Sequence, residues 1–173
     1  ETAPQTIEPG LLASSIPGGA AYVGDATKLQ ETVIPETDRI GYVASLALAD
    51  TTDTARRAIN ESHDYRFVVV STSPGRNGIR ELRQILHLRR PGQLVIATQT
   101  PPLDPILPLL PIATAGLGEN AGDPVDREGH GLRSDTTNMP NLVAGIDLAP
   151  TILDHLGLPA PDEMTGKVIR AEG

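Results

Sequence analysis

At 173 residues the chain has the length of one domain with a substantial core, and 39% hydrophobic residues supply one. It has no cysteine, which excludes disulfides, thiolate metal sites and thiol nucleophiles within the chain, and leaves the redox compartment open. A net charge of −8 argues against nonspecific nucleic-acid binding, which needs clustered Lys and Arg.

With 3 Tyr, 1 Phe and no Trp, the core is expected to consist of Ala, Val, Ile and Leu; 17 Gly and 16 Pro promise many turns. The polar, Pro-rich lead ETAPQTIEPG has no initiator Met and reads as the start of a piece of a longer protein. No apolar run reaches the ~18 residues of a bilayer span, so any membrane spans are expected outside this piece.

In chain order, residues 9–16 predict a short helix and 20–24 a short buried strand. Residues 27–38 read as irregular, 40–48 as a strand, and 51–62 as a helix with Thr or Asp at its cap. Residues 66–71 (RFVVVS) are the clearest strand, and their unbroken apolar run predicts burial on both faces. A helix over 78–90 follows, with Ile79, Leu82, Ile85, Leu86 and Leu88 near helical spacing and Pro91-Gly92 as its stop. Residues 93–98 and 112–116 predict strands, separated by a segment too rich in Pro for a central strand or regular helix. Residues 117–131 read as a Gly- and Asp-rich loop.

The alternation of strands and helices predicts a single α/β domain over 1–173, with a mainly parallel sheet flanked by helices. Ligands of such sheets sit at the carboxyl ends of strands. There the loop Ser71-Thr72-Ser73-Pro74-Gly75-Arg76-Asn77-Gly78 leaves the best strand and opens a helix. Its amides, the hydroxyls of Ser71, Thr72 and Ser73, the backbone at Gly75 and the side chains of Arg76 and Asn77 make it a candidate anion cradle. It matches neither G-x-x-x-x-G-K-[ST] nor G-x-G-x-x-G, and Ser and Asn before a helix are also ordinary capping residues. The basic residues Arg76, Arg80, Arg83, Arg89 and Arg90 read as a solvated helix face.

Of the four histidines, His63 reads as a surface residue and His87 and His155 as helix-face residues. Only His130 lies in a plausible site loop, where Asp126, Glu128 and His130 are weak candidate ligands for a divalent cation; the alternative is a solvated acidic loop. No G-x-S-x-G elbow is present, Ser134-Asp135-Thr136-Thr137 offer hydroxyls without a convincing base, and Asp135, Thr136 and Thr137 read as turn and capping residues before a strand at Leu142.

The closing segment, LRSDTTNMPNLVAGIDLAPTILDHLGLPAPDEMTG, carries the most information. Asp147 is placed to cap a helix, Pro150 falls in its first turn, and Gly157 sits where the helix must stop. The run D-L-A-P-T-I-L-D-H-L-G-L resembles the closing segment of the alkaline-phosphatase-like superfamily of sulfatases, phosphopentomutases and cofactor-independent phosphoglycerate mutases. The resemblance implies an alkaline-phosphatase-like fold. In metal-dependent members an apolar strand runs into an S-D-H-G-like loop whose Asp and His bind metal. Here the matching slot reads Ser71-Thr72-Ser73-Pro74-Gly75, without Asp or His, and residues 1–19 hold no apolar strand ending in Asp. The resemblance therefore implies a non-catalytic domain without cofactor, with a binding or scaffolding role outside the cytoplasm beside membrane spans of the same protein. The alternative is a phosphate or sulfate ester hydrolase that uses zinc or manganese and finds its remaining ligands outside this chain.

Overall fold

A computed structural model describes residues 10–24, 44–48, 53–99, 109–117 and 131–171. A one-turn helix, α1 (Leu11–Ser14), turns the chain into strand β1 (Ala21–Gly24). Strand β2 (Ser45–Leu48) leads to helix α2 (Thr54–Asp64), and strand β3 (Val68–Val70) leads to helix α3 (Arg76–Leu88). β1 lies between β2 and β3 and is parallel to both, with Ala21 opposite Ser45 and Val68. The fold is thus mixed α/β around a three-stranded parallel sheet, with α2 packed on β1, β3 and α3.

Position in the sheet, rather than hydropathy, decides which strand is most buried. The short AYVG segment of β1 is central and wholly buried, while the valines of β3 line an edge of this sheet and are only half-buried. The expectation that 66–71 is buried on both faces is corrected accordingly: an apolar run shows that burial is tolerated, but neighbouring strands supply it. Tyr22 and Leu153 head the wholly buried side chains, in a core that otherwise combines Leu11, Ile16, Val23 and Ile169 with Ala13, Ala20, Ala55 and Ala58.

The strands β4 (Val95–Thr98) and β5 (Ile112–Ala115) do not extend the parallel sheet; they pair antiparallel with each other. A parallel return needs a crossover of a dozen or more residues, usually helical, and the Pro-rich sequence between these strands suits no helix. A second antiparallel pair joins β6 (Leu132–Arg133) to β7 (Arg170–Ala171), bringing the end of the chain back beside the start of the closing segment.

No strand forms at Leu142. The chain turns instead through Asn138 and Asn141, both in the left-handed region at φ 52° and 60°, which Asn tolerates better than most residues. The Thr137 hydroxyl donates to the Leu142 carbonyl at 2.5 Å across this turn. A 3-10 turn at Gly145–Asp147 then runs into helix α4 (Leu148–His155).

Helix α4 ends as the sequence predicts. Gly157 adopts φ 66°, its N–H donates to Asp154 O, and the Leu158 N–H donates to Leu153 O, the paired bonds of a Schellman stop. The Arg66 guanidinium, entering from the start of β3, donates to the Leu156 carbonyl. A cation there also complements the negative end of the helix dipole.

Candidate functional site

The loop after β3 begins by prolonging the sheet: the Ser71 N–H donates to Val23 O at 2.9 Å. Two residues later the chain meets a side chain that sequence reasoning missed. Glu81, on the second turn of α3, is turned inward and only 3% exposed. Its Oε2 accepts the Ser73 backbone N–H at 2.9 Å, and its Oε1 accepts the Ser73 hydroxyl at 2.8 Å. The close approach depends on Gly78, where a Cβ would overlap the Ser73 carbonyl oxygen.

The candidate cradle therefore already contains an anionic group belonging to the protein. Ser71, Thr72 and Ser73 are half-buried, whereas Gly75, Arg76 and Asn77 are exposed at the mouth of the loop. Arg76 and Asn77 face solvent, whereas the Ser73 N–H and hydroxyl that an added anion would need are already held by Glu81. No short motif signals this, because Glu81 lies eight residues beyond Ser73 rather than at the three-residue spacing of a capping box.

The second polar centre is Asp147, wholly buried at the entry to α4. As a helix cap it was expected to accept amides of its own first turn, but it makes no such bond. Its Oδ2 accepts the Ser134 hydroxyl at 2.6 Å and the Ala144 N–H at 2.9 Å. Its Oδ1 accepts the Thr136 hydroxyl at 2.6 Å and the Lys167 N–H at 2.9 Å. The 3-10 turn explains the difference: it aims the carboxylate sideways, between the Ser134–Thr136 turn and the returning C-terminal segment. Burial alone pushes the Asp147 carboxyl up, but the four hydrogen bonds outweigh it and hold the group below the usual carboxylate range. With both oxygens doubly engaged and no exposed surface, Asp147 offers no lone pair to a substrate; it is a clasp.

Thr151, one turn further on and 1% exposed, completes that clasp. Its hydroxyl donates to Asp147 O at 2.5 Å and accepts the Ile169 N–H at 2.9 Å. The Asp and Thr of the D-L-A-P-T run thus both tie α4 to the segment leading into β7. Thr151→Val keeps the shape and removes both bonds, leaving the buried Ile169 N–H unpaired. It is expected to lower unfolding free energy by about 1–2 kcal/mol, read from the urea midpoint.

The described histidines have backbone partners or face solvent. His63 Nδ1 donates to Ile59 O at 2.8 Å, His155 Nε2 donates to Gly92 O at 3.0 Å, and His87 is exposed on α3. Among the described residues no group of three His, Cys, Asp or Glu side chains is placed to hold a metal ion. Asp126, Glu128 and His130 lie outside the described residues. Also among the described residues, no helix is long and apolar enough to cross a membrane. Comparison with family models, curated proteins and solved structures gives no match to the chain.

Proposed function

We propose that the chain is a non-catalytic, alkaline-phosphatase-like domain with a binding or scaffolding role in the extracytoplasmic part of a larger, membrane-anchored protein. One observation carries the reading. The loop that in the resembled superfamily presents metal ligands is here closed from within, with Ser73 held by Glu81 through both its N–H and its hydroxyl. Hydroxyls are poor substitutes for the Asp and His that would bind zinc or manganese at that position. The D-L-A-P-T run supports the same reading, because Asp147 and Thr151 act within the fold.

Elemental analysis of the purified protein tests the proposal, together with phosphatase and sulfatase assays with and without chelator. No stoichiometric zinc or manganese and no chelator-sensitive turnover are expected. Either a bound metal at one equivalent or turnover abolished by chelator would replace this reading with the metal-dependent ester hydrolase.

A further inference from the structure

Among the described residues, helix α3 carries a line of basic side chains without acidic partners on the face opposite its packing. Arg76, Arg80, Arg83 and His87 recur in steps of four, three and four residues, which keeps them on one side over about 16 Å of helix. All four are exposed, while the buried residues of α3 are Gly78 and Glu81, on the other side. An ordinary solvated helix face intersperses charges of opposite sign, because like charges at i, i+4 destabilise by about 0.2–0.5 kcal/mol each. Here the sole acid of the helix, Glu81, is turned inward to Ser73. Among the described residues Arg56 pairs with Asp53 at the start of α2, and the guanidinium groups of Arg76, Arg80 and Arg83 have no acidic partner. This occurs in a chain with 22 acidic residues against 14 basic ones. Beside the line, Ile79 and Leu86 lie two turns apart and are 53% and 40% exposed.

We infer that this face of α3 docks an acidic amphipathic helix of a partner protein. Carboxylates at matching three- and four-residue spacing would meet Arg76, Arg80 and Arg83, whose guanidinium forks suit bidentate pairing. Apolar residues of the same helix would cover Ile79 and Leu86. The net charge of −8 selects this occupant over an anionic bilayer or a polynucleotide. Those present an extended negative field to the whole acidic surface, whereas one docked helix meets only the basic line. Docking on this face does not depend on whether the chain is catalytic, so metal analysis and peptide titration fail independently.

The test is titration of the full chain with a synthetic helical peptide carrying Glu at positions i, i+4, i+7 and i+11 beside two Leu at heptad spacing. A Gln-for-Glu peptide, phosphatidylglycerol vesicles and a single-stranded oligonucleotide serve as comparisons. The Glu peptide is expected to bind at least about tenfold tighter than the Gln peptide, with affinity falling as salt rises. Arg80→Glu with Arg83→Glu is expected to remove that advantage while leaving the circular-dichroism spectrum and Tm unchanged; Arg80→Gln with Arg83→Gln checks the result without charge reversal. Equal binding of the two peptides, or preferential binding of vesicles or oligonucleotide, overturns the inference.

Discussion

Asp147→Ala is expected to destabilise the fold by about 3–5 kcal/mol, since it leaves the Ala144 and Lys167 amides and the buried Ser134 hydroxyl without their acceptor. Asp147→Asn is not expected to rescue it. Each carboxylate oxygen accepts one hydroxyl and one backbone N–H, and a hydroxyl can turn whereas a backbone N–H cannot. Whichever oxygen becomes an amide nitrogen, a donor faces a fixed donor, so a loss of about 2 kcal/mol or more should persist. The acid dependence has a definite sign. The folded carboxyl titrates below its unfolded counterpart, at about 3.9, so its stabilising contribution is complete above that range and disappears as pH falls through the lower, folded value. The gap between the urea midpoints of the native chain and Asp147→Ala should therefore be largest at neutral pH and narrow in strong acid. A gap that stays constant from neutral to strongly acid pH would show that ionisation of Asp147 contributes nothing.

What the sequence made legible was local. Gly157 ends α4 because a left-handed residue after a helical run needs no distant partner to be recognised. The helices after β2 and β3 follow from spacing, and their extents agree with the pattern to within a few residues. Non-local choices were hidden. AYVG was legible as a short buried strand, but not as the central one, since that place comes from β2 and β3 on either side. The antiparallel pairing of β4 and β5 depends on a connection whose composition only excludes alternatives. Asp147 was legible as a helix-entry residue, but not as the acceptor for Ser134 and Lys167, which lie 13 and 20 residues away. For the candidate loop, Ser71–Asn77 could be located at a strand end, while the group that occupies it lies outside any short motif. Both centres share one cause: each carboxylate is used by its neighbours in space, which sequence spacing does not show.

The same physics gives the opposite result at Glu81, which makes it the sharper test of the closed loop. Glu81→Ala is expected to cost about 2–3 kcal/mol, because the Ser73 N–H loses its acceptor and a buried void replaces the side chain. Glu81→Gln should recover most of that. Here one oxygen faces a fixed N–H, but the other faces only a hydroxyl. The glutamine oxygen can accept from Ser73 N–H while its amide donates to a Ser73 hydroxyl that has turned away. Gly78→Ala approaches the contact from the other side: its Cβ would push α3 off the Ser73 carbonyl, an overpacking worth about 1–3 kcal/mol. If Glu81 is the loop's own anion, Glu81→Ala should also let phosphate or sulfate raise the Tm of the variant where it leaves the native chain unaffected. A Gln variant as unstable as the Ala variant would show that charge, rather than acceptor geometry, holds the loop. A native chain stabilised by phosphate as strongly as Glu81→Ala would show that Glu81 does not close it.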